Sequence, residues 1–273
     1  MKKKSSPKDI SEMVLGAAEG VFGTVIDLSL WYVAYFASLG LPQSDSGAYW
    51  RAQNNADSFL YSVNYDVIKR GIAEARRRGL VEKVSKKNAA PQISSQGEKR
   101  LNSVLPIYKE KRPWDGRLHL VTYDVPEVKR KDRKILYRFL KKIGCARLQD
   151  SLWMTPHNPK EILISFVNEH ALSGMIIVSD IGKDGSIGDD DVHALVVRVF
   201  GIEELNARYS SWFKILGNKT IDQMALLRFL SIVKDDPQLP FELLPSWWKG
   251  DDAYNKVKNQ LRKLSSRGLS ATG

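Results

Sequence analysis

The stretch Trp114-Asp-Gly-Arg-Leu-His-Leu-Val-Thr-Tyr-Asp-Val-Pro-Glu127 opens the middle of a 273-residue chain. Its continuous apolar run predicts a strand, and Asp124-Val-Pro stops it, because proline cannot donate to a ladder and holds its predecessor extended. Val128 to Ile143 then reads as an amphipathic helix. Ile135, Leu136, Phe139, Leu140 and Ile143 form its sheet-facing stripe, and Lys129, Arg130, Lys131, Arg133, Lys134, Arg138, Lys141 and Lys142 point outward. Gly144 ends it. Ala146–Leu148 and Leu152–Thr155 predict a hairpin, Pro159–His170 a second helix, and Met175–Ser179 and His193–Phe200 further strands. The fold class that follows is α+β, with a central ferredoxin-like βαββαβ domain.

Upstream, the most apolar run is Val21–Leu41, where Leu15, Phe22, Ile26, Leu30 and Val33 recur at helical spacing. Glu12, Glu19 and Asp27 argue against a signal peptide or membrane anchor, since a carboxylate at mid-bilayer costs ~2.5 kcal/mol or more. A long core helix ended by Gly40-Leu-Pro42 is the expectation. A second helix is predicted over Ala48–Tyr61 and a third over Asn64–Arg78, capped by Asn64, with Ile68, Ile72 and Ala75 on one face. Gly79-Leu-Val-Glu-Lys-Val84 and Pro91-Gln-Ile-Ser94 read as paired strands around a polar turn, leading into Gln96–Leu101. Three helices, a hairpin and a helix make a winged helix-turn-helix, whose third helix enters the major groove while the hairpin touches the backbone.

Charge agrees with that placement. The chain carries +11 at neutral pH, and +7 of it falls within residues 1–113 against +1 in 114–200 and +3 in 201–273. Residues 64–87 hold eight basic and three acidic side chains, a concentration suited to phosphates. The DNA-contacting candidates are Asn64, Tyr65, Lys69 and Arg70 at the start of the third helix, then Arg76, Arg77, Lys83, Lys86 and Lys87. The ordinary alternative is a solvated helix beside a polar turn.

The expected division is 1–106 (winged helix-turn-helix), 114–200 (ferredoxin-like, dimerising), 201–264 (helical) and 265–273 (flexible tail). Pro106 to Pro113 and the region of Gly201 mark the boundaries. The 43% apolar and 10% aromatic content excludes disorder of the whole chain. One cysteine, Cys145, excludes an internal disulfide framework and a cysteine-rich zinc site, and His119, His157, His170 and His193 lack metal-ligand spacing, so a reducing cytoplasmic setting without metal or cofactor is expected.

Several motifs resemble a known family. Trp114-Asp-Gly-Arg117, Tyr123-Asp-Val-Pro-Glu127, the stretch from Gly144 to Trp153 and Pro156-His157 resemble the central domain of the PaaX family, named for the phenylacetic-acid degradation repressor. Glu204-Leu-Asn-Ala-Arg-Tyr209 and Asp236-Pro-Gln-Leu-Pro-Phe-Glu-Leu-Leu-Pro-Ser-Trp-Trp-Lys-Gly250 resemble its C-terminal motifs. The resemblance spans about residues 107–262 and, less specifically, Arg76-Arg-Arg-Gly-Leu-Val81. It implies a homodimeric transcription repressor that binds a palindromic double-stranded operator through its winged helix and responds to a small effector, acyl-CoA-like in the named member or another molecule here.

The same central segment resembles the CRISPR-associated Cas protein two, through Tyr123-Asp124, the basic helix and Leu148-Gln-Asp-Ser-Leu152. That resemblance implies a rival: a metal-dependent nuclease in which Asp124 and its dimer mate hold a divalent ion. A DNA-binding regulator within a CRISPR locus is a further alternative. In the repressor family the aspartate instead serves as a helix cap.

Other signals read more plainly. The run from Asp180 to Asp191 lacks a ligand at its third position, Gly182, so it is not an EF-hand, and Asp189-Asp-Asp191 reads as an exposed acidic turn. Gly217-Asn-Lys-Thr220 is not a phosphate-binding loop. Cys145 reads as a buried structural thiol, and Trp153, Trp212, Trp247 and Trp248 as core or inter-domain anchors, with an aromatic effector pocket in the C-terminal part as the alternative.

Overall fold

A computed structural model of the chain describes residues 21–38, 65–83, 91–172, 174–181 and 191–266. The elements are α1 (Val25–Ser38), α2 (Tyr65–Arg77), β1 (Val81–Lys83), β2 (Pro91–Ile93), α3 (Ser95–Val104), β3 (Leu118–Asp124), α4 (Arg130–Lys142), β4 (Ala146–Gln149), β5 (Leu152–Thr155), α5 (Lys160–His170), β6 (Met175–Ile181), α6 (Val192–Val199), α7 (Ile202–Leu216), α8 (Gln223–Asp235) and α9 (Gly250–Ser266). This mixture of helices with two antiparallel sheets is the α+β class. The chain forms two compact units: 1–108 with 208–235 and 249–273, and 109–207 with 236–248.

In the first unit, α1 is nearly encased, with Leu30, Trp31, Tyr32 and Val33 buried. The expected long helix is interrupted before it. Phe22 to Thr24 leave the helical path, and α1 restarts at Val25 because the Thr24 hydroxyl accepts from the Asp27 N–H at 3.2 Å. Asp27 is itself buried and takes Arg100 of α3 in a two-pronged pair, at 2.6 and 3.3 Å. The carboxylate that counted against a bilayer thus ties two helices together. Among the described residues, no helix is long and apolar enough to cross a membrane.

Helix α2 follows the predicted span, with Ile68 and Ala75 buried. It approaches α1 through Gly71: a Cβ there would strike the Ser29 hydroxyl, which donates to the Val25 and Ile68 carbonyls at 2.8 and 3.4 Å. Strands β1 and β2 pair antiparallel, Val81 opposite Ile93 and Lys83 opposite Pro91. Ser94 joins the hairpin to α3, accepting from the Gly97 N–H at 3.1 Å and donating to the Gly79 carbonyl at 2.5 Å. Gly97 lies against the Leu80 backbone, where a Cβ would meet the carbonyl oxygen and come within 2.8 Å of Ile93 Cγ2. Gly97→Ala should therefore destabilise this unit by about 1–3 kcal/mol, because a carbonyl cannot rotate aside as a side chain can. Urea unfolding would measure it; a loss below ~0.5 kcal/mol, the level of a neutral surface change, would show that α3 can slide.

The same unit contains Arg208–Leu216 of α7, α8 and α9. Their core is aromatic: Phe229 lies about 6 Å from Tyr108, Tyr209 and Trp212, and Tyr108 stacks on Tyr254 at 4.6 Å and donates to Asp251. The Trp212 indole N–H donates to the Ala225 carbonyl at 2.8 Å. Trp212 and Trp248 are buried as expected, but Trp247 is 43% exposed and anchors no core.

In the second unit, β3, α4, β4, β5, α5 and β6 follow in chain order, and the strands lie side by side as β4-β5-β3-β6, all antiparallel. Alternation along β3 sends Val121 and Tyr123 to one face, beside Trp153 of β5, and there they meet Leu136 and Leu140 of α4 and Leu163 of α5. Phe139 and Phe166 stack at 3.6 Å between ring centroids, linking the two helices. Cys145 is buried in this cluster, its thiol pushed up to about 12 by burial, as a structural thiol should be.

Residues 192–199 are helical, not the strand that their valines suggest. Asp191 caps them, accepting from the Ala194 N–H at 2.7 Å, and Val192, Leu195, Val196 and Val199 fall at helical spacing with Val196 buried, so capping and periodicity outweigh β propensity. Asp191 is therefore a cap and not merely part of an acidic turn. The proposed capping role of Asp124 fails as well. Pro126 heads the 3₁₀ turn Glu127–Lys129 and Lys129 heads α4, neither with a side-chain capping bond.

Candidate nucleic-acid interface

Helix α2 presents the site. At about 100° per residue, Lys69, Arg70, Ala73, Arg76 and Arg77 share an arc of about 120° opposite Ile68, Gly71 and Ala75. All five are exposed. Glu74 pairs with Arg77 and with Arg78, the latter at 2.8 Å. The Arg78 hydrogen bond leads in holding the Glu74 carboxyl below its ordinary value. One carboxylate thus answers two of the three arginines at the end of the helix. Tyr65 begins α2 and Lys83 ends β1. Asn64, Lys86 and Lys87 lie outside the described residues, as do the helix expected over 48–61, the Gly40-Leu-Pro42 stop and residues 182–190 with most of the expected acidic turn.

Asp124 ends β3 and is exposed. Among the described residues, no group of three or more His, Cys, Asp or Glu is arranged to hold a metal ion.

A second polar cluster carries no signal in the residue order. His119, only 2% exposed, sits between two carboxylates: Nδ1 lies 2.7 Å from Asp180 and Nε2 3.0 Å from Asp115. Both contacts are made when the ring carries two N–H donors. Arg117 donates to Asp180 at 2.9 Å, and its backbone N–H donates to Asp115. Cross-strand pairing of His119 with Asp180 creates the cluster, and nothing in their 61-residue separation reveals it. Partial burial pushes Asp115 up, but the Arg117 N–H, His119 and the Arg117 charge outweigh it and hold the carboxyl low. The Arg117 hydrogen bond is the main cause that holds Asp180 low, with His119 adding to it. His157 nearby is lowered by burial, then by Lys109.

Both aspartates thus have folded pKa values below their unfolded ones. Their stabilisation is complete above the unfolded carboxylate value of ~3.9 and is lost as pH falls through the lower folded values. Thermal melts between pH 5 and 2 should show His119→Phe losing less melting temperature on acidification than the wild type. Parallel acid profiles would remove the cluster from acid denaturation.

A cavity of about 620 Å³ lies in the same unit, floored by Leu136, Leu163, Val167 and Ile176 and rimmed by polar groups including Asp132 and Lys160. The segment Asp236–Trp248, distinguished in the sequence by its prolines and its motif, returns to this unit. Gln238 accepts from the Lys109 N–H at 2.6 Å, and Arg112 donates to the Leu239 carbonyl at 3.0 Å with its guanidinium 4.7 Å from the Phe241 ring centroid.

The geometry defines an α+β protein with a cationic helix and hairpin in one unit and a two-helix antiparallel sheet in the other. Residues 111–191 match the family model described as "PaaX protein central Cas2-like domain". An uncharacterized protein of Mycobacterium tuberculosis, Rv0674, shares the fold with a TM-score of 0.52 at 15% identity, over 77% of this chain and 86% of that one. No curated protein matches the chain.

Proposed function

We propose that this protein is a PaaX-like transcription repressor that binds a palindromic operator as a homodimer. Its residues 1–106 act as a winged helix-turn-helix, with α2 as the reading helix and the β1–β2 hairpin as the wing. The observation that carries this reading is the exposed Lys69–Arg70–Arg76–Arg77 face of α2, held by α1 on its opposite side and followed directly by a paired hairpin. The adjoining PaaX central domain supports a regulatory role. In this reading 114–200 is a ferredoxin-like dimerisation domain, and 201–264 is the helical PaaX-like part with 265–273 as its tail. The dimer presents two reading helices about one turn of DNA apart, ~34 Å, or a multiple of it. A small effector, acyl-CoA-like or other, would be seated in the 620 Å³ cavity, whose volume suits a ligand of drug size. The working location is the cytoplasm.

The test is binding of the purified protein to duplex from upstream of its own gene, against random duplex, in EDTA and then in magnesium or manganese with product analysis. Retention of the upstream duplex ~10³-fold above random DNA, with no cleavage, is the expected result. Metal-dependent cleavage that disappears in Asp124→Ala would transfer the function to a nuclease.

A further inference from the structure

Helix α4 carries Arg130, Lys131, Arg133, Lys134, Arg138, Lys141 and Lys142, all exposed, and among the described residues none of them makes an ion pair. Its one carboxylate, Asp132, lines the cavity instead. With about 100° per residue, six of the seven cations, Arg133 aside, share an arc of about 120° and extend over about 18 Å. Other surface helices are arranged differently. Glu74 answers Arg77 and Arg78 on α2, and α9 has Asp251 and Asp252 in its first turn and Lys263 in its last.

This arrangement works against the helix. Arg130 and Lys131 occupy the positive end of the helix dipole, where acidic residues stabilise, and no side chain caps that end. The pairs Arg130/Lys134, Lys134/Arg138 and Arg138/Lys142 repel at four-residue spacing. Solvated surface helices commonly intersperse both signs, which relieves this repulsion. The strip therefore fits a polyanion that supplies the missing charge.

We infer that the outer face of α4 is a second DNA-contacting surface, which follows the phosphate backbone of duplex DNA without reading bases. Two rivals fit less well. An amphipathic helix binds a membrane with its apolar stripe, and here Leu136 and Leu140 are fully buried. Protein interfaces are depleted of lysine at their cores, whereas a duplex offers one charge per ~1.7 Å of axis, about ten along the length of α4. The inference rests on the DNA-binding reading above and adds a sequence-independent surface to it.

The experiment compares the full-length protein with Arg130→Gln/Lys131→Gln/Lys134→Gln, titrating upstream and random duplexes over a salt series by fluorescence anisotropy. Removing three cations that each neutralise a phosphate should flatten log K against log salt by about 2–3. Affinity for both duplexes should fall by the same factor, about 10-fold or more, with the preference between them unchanged. The thermal midpoint should hold or rise, because cations leave the positive end of the helix. A second variant, Arg138→Gln/Lys141→Gln, should repeat the result.

An unchanged slope in both variants, with operator affinity still lowered in Lys69→Ala/Arg70→Ala, overturns the α4 surface alone. A flattened slope in a protein with no preference for the upstream duplex keeps the surface and overturns the operator reading. Failure of the wild type to bind any duplex, including a result in which it binds only phosphatidylserine vesicles, overturns both.

Discussion

Trp153→Ala should destabilise the sheet-and-helix unit by about 3–5 kcal/mol, the range for deleting a fully buried aromatic side chain. Trp153 is 2% exposed, lies on the helix-covered face opposite Val121, and meets Tyr137 edge-on at 5.1 Å with the rings at 75°. Removing it opens a void beneath α4 that Val121, Leu136 and Leu140 cannot close without leaving their rotamers. Trp153→Phe should cost far less, because the indole N–H is buried without a hydrogen-bond partner and its loss forfeits no bond. Urea unfolding of both variants, followed by circular dichroism, checks the order. Equal losses would mean that the N–H has a partner, such as an ordered water.

The second large effect falls on DNA. Lys69→Ala combined with Arg70→Ala should lower operator affinity about 10- to 100-fold at ~0.1 M salt and reduce the salt slope by about 2, since each phosphate contact contributes ~0.9. If either residue also reaches a base edge, selectivity over random duplex falls, at about 1–3 kcal/mol for a good contact. Folding should not change, because both side chains lie on the exposed arc of α2 while Gly71 and Ala75 hold its inner face. Sedimentation should report the same oligomeric state as the wild type. Full operator affinity in the double variant would remove α2 as the reading helix.

Much of the second unit is legible in residue order because its signals are local. Proline at 126 stops β3, glycine at 144 ends α4, and apolar residues at spacings of three and four place the stripe on Leu136 and Leu140. The hairpin at 81–93 and the amphipathic helix α2 are equally readable. Expectation and structure part where a local contact overrules composition. The Asp191 cap turns a valine-rich segment into α6, and Thr24 restarts a helix that periodicity alone would continue.

The charge on α2 and α4 and the α+β class could be read from residue order, since charge runs and periodicity are set by neighbours within a turn or two. Pairings across long separations were decided only by the tertiary structure. Asp27 meets Arg100 in an ion pair, His119 meets Asp180 across two strands, and Gln238 returns to Lys109. Hydrogen bonds and ion pairs act over a few ångströms of space whatever the sequence distance, so they appear only once the sheet register and the helix packing have brought the partners together.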